Sequence, residues 1–296
     1  MFNSVDEYLL KLKTALHGCD QATVQDALAD AEDHLRTAMA RVKDSQPGSN
    51  EAESLAAIIE DYGSPEEVAS AYREIERRLP PALAPTTQSL SRSLWVRFFG
   101  VVADPCAWGA LLYMIISLLT GILYFTWAVT GLSLSFGLII LIIGLPFIIL
   151  FLLSIRGISL VEGRIVEALL GVRMPRRSIF VDKNKGFWTR LKDLVFSWLV
   201  WKTLLYMILM LPLGIIYFTI FVTLISIGLA LVATPFAQLA FNYPLIMIDS
   251  VRYFVPFWQI PFWAAGGALL LLSSMHFAKL LGRLHGSFAK LMLMGD

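Results

Sequence analysis

The side chains able to act as nucleophiles, metal ligands or proton carriers are few and scattered. Two cysteines, Cys19 and Cys106, and four histidines, His17, His34, His276 and His285, occur in 296 residues. None stands in a Cys-x-x-Cys or paired-histidine spacing, so no disulfide, redox pair or metal centre is expected. A Gly-x-Ser-x-Gly elbow and a phosphate-cradling Gly-rich loop are missing as well. The expectation is a protein with no catalytic residues, no metal and no cofactor, and not an enzyme.

Carboxylates are the one chemically capable group that clusters. Residues 1–79 carry 16 Asp/Glu against 8 Lys/Arg, a net charge of −8, whereas residues 80–296 carry 7 against 16, a net of +9. The near-neutral whole therefore hides two oppositely charged modules. Asp26, Asp30, Glu32, Asp33, Glu60, Asp61, Glu66 and Glu67 are candidates for a face that meets a basic protein partner; an ordinary solvated surface is the plainer reading. Direct binding to nucleic acid is disfavoured either way, because a domain at −8 repels phosphate. Met1 opens directly into charged sequence without an apolar secretory core, so residues 1–80 are expected in the cytosol.

The elements that must carry these carboxylates are helices. Ser4 with Glu7 makes a capping box for a helix ending near Gly18. Val24, Ala27, Leu28, Ala31, Leu35, Ala38, Met39 and Val42 recur at three and four, the stripe of a second helix over 21–42. Ser45-Gln46-Pro47-Gly48-Ser49 breaks the chain. A third helix over 51–62 buries Leu55, Ile58 and Ile59 and stops at Gly63, and Ser64-Pro65-Glu66-Glu67 caps a fourth. Residues 1–80 are thus expected to form a small helical bundle.

Asp30-Ala31-Glu32-Asp33-His34, followed by the run from Ile58 through Gly63-Ser64-Pro65-Glu66-Glu67 to Ala69, resembles the HAAS signalling domain. Members are often encoded beside PadR-like winged-helix regulators. The resemblance implies a cytosolic protein partner of that kind.

A linker, 81–93, with Pro81 and Pro85 among small polar residues, leads to a domain of different character over 94–296. Arg92, Trp95 and Arg97 suit a headgroup region. Residues 108–126 align without gaps on 201–219, with 12 of 19 positions identical at an offset of 93. Chance similarity between apolar segments supplies Leu and Ile, but not matched Trp, Tyr, Gly and a Tyr-Phe-Thr triplet. The alignment reads as a duplicated two-helix unit.

Four membrane spans are expected, near 108–131, 136–155, 203–225 and 262–281. The fold class is accordingly all-α, a small cytosolic bundle followed by a four-span transmembrane helical domain. Uninterrupted apolar sequence from 203 to 237 would be about 52 Å long as a helix, so it must overrun the bilayer, tilt or break. Residues 156–202 hold ten Lys/Arg against four acidic residues. That loop and the basic tail place both termini inside the cytoplasmic membrane of a bacterium, with 238–261 as an aromatic outer loop. A fifth span near 227–248, which would export the tail, is the competing arrangement. Asp249 and Arg252 are expected to pair if helical.

No Asp, Glu, Lys, Arg or His is expected inside these spans away from their ends, which argues against an ion or proton carrier. Tyr113 and Tyr206, equivalent in the two repeats, either line a shared membrane pocket or pack an interface. Leu145-Pro146, Arg156-Gly157, Glu162, Leu169-Leu170-Gly171 and Pro212-Leu213-Gly214 resemble the sensor domain at the front of some bacterial histidine kinases. No phosphoacceptor or ATP-binding module is expected to accompany it. Two function classes stay open. One is a membrane sensor that relays a membrane or envelope signal to a cytosolic regulator through the acidic domain. The other is a non-ATPase membrane subunit of a transport or lipid-handling complex. The lipid bilayer is a partner in both, and self-association is compatible with either.

Overall fold

The computed structural model describes every residue except 1, 3, 46–49, 85–93, 139–143, 177–194, 242–243, 245, 250 and 295–296. Most of the expected linker and the most basic part of the 156–202 segment therefore lie outside the described residues.

Four helices build the N-terminal bundle: α1 (Val5–Ala15), α2 (Gln21–Ser45), α3 (Glu51–Tyr62) and α4 (Pro65–Arg78). Ser4 caps α1 by accepting from the Glu7 amide. At the start of α4 the Ser64 hydroxyl accepts from the Glu67 amide, and the Glu67 carboxylate accepts from the Ser64 amide in return, a complete capping box. The core is Tyr8, Leu12, Leu16, Ala27, Ala31, Leu35, Leu55, Ile59 and Ala69; of the expected α2 stripe it takes Ala27, Ala31 and Leu35, with Val24, Leu28 and Met39 packed against it. Gly63 ends α3 at φ +110°, a conformation L side chains avoid. Its carbonyl accepts from the Tyr8 hydroxyl at 2.9 Å and pins α1 to the α3–α4 turn.

A short α5 (Leu94–Phe99) and a 3-10 turn (Gly100–Ala103) lead into four long helices: α6 (Pro105–Leu138), α7 (Gly144–Leu170), α8 (Trp198–Phe241) and α9 (Ile260–Leu293). Among the described residues, these four are long and apolar enough to cross a membrane. They overrun the expected spans because charged residues such as Arg156 and Arg283 end an apolar window without ending a helix. The 44 residues of α8 continue through Pro212 and Pro235, about 66 Å of helix. The long apolar run is thus resolved by overrun, and the segment near 227–241 belongs to α8 itself.

α6 and α7 form an antiparallel hairpin. Gly109 faces the Leu169 carbonyl near one end, and Gly131 faces the Phe151 ring near the other. α8 and α9 form a second one, from Tyr217 beside His285 to Gly228 beside Gly267. Between α8 and α9 lies a small antiparallel ribbon, β1 (Ile246–Ile248) and β2 (Val251–Tyr253), with Asp249 at φ +46° in its turn. The helix on which Asp249 and Arg252 were expected to pair is not formed; the segment is this ribbon, with Arg252 opposite Met247.

The hairpins meet where α6 crosses α8. A Cβ on Gly121 would lie 2.5 Å from the Met210 carbonyl oxygen, and one on Gly214 would lie 2.4 Å from that of Ser117. Gly121 plus 93 is Gly214, and Ser117 plus 93 is Met210, so the contact exchanges with itself at the repeat offset. Trp108 and Trp201 behave alike, each donating its indole N–H to the carbonyl six residues earlier, Val102 or Val195.

Candidate functional site: a buried carboxylate among four tyrosines and a histidine

Tyr113 and Tyr124 lie 11 residues apart on α6, three helical turns and hence one face. Tyr206 and Tyr217 repeat that spacing on α8, at the offset of 93. The packed interior brings all four to one place, and α7 and α9 supply Glu162 and His285. Glu162 is 1% exposed, as are Tyr113, Tyr206 and His285.

The hydrogen bonds form one connected network. Glu162 Oε1 accepts from the Tyr113 hydroxyl at 2.6 Å and from the Tyr206 hydroxyl at 2.8 Å. Its Oε2 accepts from the Tyr124 hydroxyl at 2.8 Å. His285 Nε2 lies 2.7 Å from the Tyr113 oxygen and 3.2 Å from that of Tyr206, while Nδ1 lies 3.4 Å from the Tyr217 hydroxyl. With the Tyr113 proton committed to Glu162, the Tyr113 oxygen accepts from Nε2–H, and Nδ1 is left to accept from Tyr217. Every member then has a partner, which a polar network in an apolar interior requires. A carboxylate only accepts, so it takes all three phenol protons at once.

Glu162 and His285 lie outside the spans for which no ionisable side chain was expected, but the helices run on past those spans and carry both into the packed interior. Both fall beyond the apolar windows, at 155 and 281, yet inside α7 and α9. Tyr113 and Tyr206 are packed into the helix interface, with their hydroxyls meeting at Glu162. The sequence signal that was there to be used is the second repeated pair, Tyr124 and Tyr217, on the same faces as the first.

The acidic candidates do not form one face. Asp30 accepts from the Tyr72 hydroxyl at 3.1 Å and lies 3.5 Å from that of Tyr62. Burial, with the Asp30 charge beside it, pushes the Tyr62 phenol well above its ordinary range. Glu32 pairs with Arg36 at 2.9 Å, and Glu67 serves the capping box. Glu60, Asp61 and Glu66 are exposed on and after α3, and Asp33 is half-buried on α2.

Asp20 and Asp26 do something else: they join the bundle to the long helices. Asp20 pairs with Lys290 near the end of α9 at 2.6 Å. Asp26 accepts from the Arg176 amide at 2.6 Å. Arg173, three residues beyond α7, reaches Thr23 at 3.4 Å and the Glu76 and Leu79 carbonyls. The helices that carry Glu162 and His285 are thus the ones whose ends hold the bundle.

A buried, fully paired polar network inside membrane-length helices, with a small bundle seated on their ends, defines a multi-pass membrane protein of the sensor type. The Sensor family ("Putative sensor") matches residues 113–293 and the HAAS family matches residues 7–71. The chain belongs to the Sensor family and carries a HAAS domain in front of it. No curated protein and no solved structure matches the chain. Both matched families are non-catalytic, and the pairing is that of a membrane signalling protein.

Proposed function

We propose that the chain senses a state of the bilayer or envelope through its long helices and relays it to a cytosolic regulator through the acidic bundle. The seam carries this reading: Asp20, Thr23 and Asp26 are held by Arg173, Arg176 and Lys290, on the continuations of the helices that meet at Glu162 and His285. A shift of α7 against α9 disturbs the buried network at one end and the grip on α2 at the other. Interiors are close-packed and switch between discrete arrangements, so a small displacement at the network is passed along rigid helices. The chain is then a relay and not an enzyme. It sits in a bacterial cytoplasmic membrane, with both termini cytosolic and a PadR-like winged-helix regulator as partner.

The exposed carboxylates Glu60, Asp61 and Glu66 are left for that partner. Single exposed ion pairs are worth about 0–1 kcal/mol, so capture has to use several and has to weaken with salt. The test is capture of the regulator by the intact protein in its native membrane across a salt series. Reversing Glu60, Asp61 and Glu66 to Lys together is expected to abolish capture, and Asp20→Lys, which breaks the seam, to change its extent. Capture indifferent to salt and to the triple reversal would overturn the reading.

A further inference from the structure

Between the bundle and the long helices lies a cavity of about 80 Å³ that the hydrogen-bond network does not use. α2 contributes Gln25 and α7 contributes Arg156, Ser159, Leu160 and Gly163; the chain beyond α7, the start of α8 and the end of α9 close the rest. The Arg156 Nε is buried and has no hydrogen-bond partner among the described residues. No Asp or Glu is among the described residues that line the cavity. An arginine half-buried on an apolar helix with no acid among the described residues that line its cavity is costly to keep, and such a residue marks a ligand in membrane proteins more often than it marks packing.

We infer that this cavity binds a phosphate-class oxyanion against the Arg156 guanidinium. The planar guanidinium fork matches two oxygens of such a group at once, and the anion supplies the countercharge that the described lining residues do not. Size narrows the class. A water needs roughly 10–15 Å³ of such space, so this cavity holds a few waters or one tetrahedral anion, and a nucleotide is far too large. Leu160, Leu199 and Leu293 on the walls suit the first carbons beyond a lipid headgroup. A free phosphate meets the same guanidinium. Because Gln25 belongs to the bundle and Arg156 to α7, an anion seated between them adds to the grip on α2. The inference rests on the relay reading and names its ligand.

The experiment uses the full-length protein in neutral maltoside micelles. Thermal unfolding is measured with phosphatidylglycerol, with phosphatidylcholine, or with inorganic phosphate added. Native mass spectrometry counts retained phospholipid. Phosphatidylglycerol is expected to raise the midpoint by about 5 °C and to leave one molecule bound, with phosphatidylcholine much weaker. Arg156→Gln is expected to lose the shift, and Arg156→Lys to keep part of it. Gly163→Met fills the cavity without touching the charge and is expected to lose it too, which covers the case of a poorly folded Arg156→Gln. A shift with inorganic phosphate alone identifies the free ion as the ligand. No shift with any addition, or a shift unchanged in both Arg156→Gln and Gly163→Met, would overturn the inference. Regulator capture that still responds to Asp20→Lys in that event leaves the relay standing and removes only this ligand.

Discussion

Tyr113 and Tyr206 are 93 residues apart in the chain, yet their hydroxyl oxygens lie 3.5 Å apart and both donate to the same oxygen of Glu162. The pairing follows the sequence likeness of 108–126 to 201–219. Equivalent positions of α6 and α8 face each other across the Gly121–Gly214 crossing, so a tyrosine in one unit meets its counterpart in the other. The acceptor breaks the symmetry, because α7 brings a carboxylate where α9 brings an imidazole.

Removing the shared acceptor is expected to cost more than removing any one donor. Tyr124→Phe deletes one hydrogen bond, about 0.5–1.5 kcal/mol, whereas Glu162→Leu strands three buried phenols, about 3 kcal/mol or more. Tyr113→Phe and Tyr206→Phe share one oxygen and are expected not to add. Thermal unfolding of the single and double variants in micelles measures this, and strict additivity would contradict the network.

The crossing makes opposite demands on similar residues. Gly121→Ala or Gly214→Ala drives a methyl into a facing carbonyl, an overpacking cost of about 1–3 kcal/mol. Gly266→Ala, inside α9, meets nothing within 4 Å and is expected to gain about 0.5–1 kcal/mol from helix propensity. The sign of the change in unfolding midpoint separates the two sites.

Acid is expected to loosen the α4 start of the bundle. The Ser64 backbone amide, and then its hydroxyl, hold the Glu67 carboxyl below its ordinary range. A carboxyl whose pKa is lower folded than unfolded adds stability above the unfolded value and gives it up as pH falls through the folded one. Urea midpoints of residues 1–80, expressed alone, are expected to fall on going from neutral pH to below about 4.3. Glu67→Gln is expected to flatten that acid limb. A fragment unfolded at neutral pH by circular dichroism would refute the modular reading itself.

Topology is checked by labelling in intact cells, with Cys19 and Cys106 replaced. A cysteine added after Asp296 is expected to be shielded from an impermeant thiol reagent, and one at Asp249 to react. The reverse pattern would mean that the tail is exported.

The HAAS and Sensor segments, their charges, the N-terminal helix boundaries and the likeness of 108–126 to 201–219 were legible in the sequence, because each is written locally. A capping box needs four consecutive residues, an amphipathic stripe needs a few turns, and a repeat needs only alignment. The ends of the long helices were less legible, since hydropathy reports where apolar sequence stops and hydrogen-bonded helix continues past that point. What only the tertiary structure decided is which polar side chains converge. Glu162 and His285 are separated by more than a hundred residues and differ in type, and nothing in the spacing of either announces the other. Their meeting follows from two hairpins crossing at paired glycines, which fixes the tyrosine faces towards one point. The same packing withdrew Asp20 and Asp26 from the acidic surface into the seam, because the arginines and lysine that hold them arrive from distant parts of the chain.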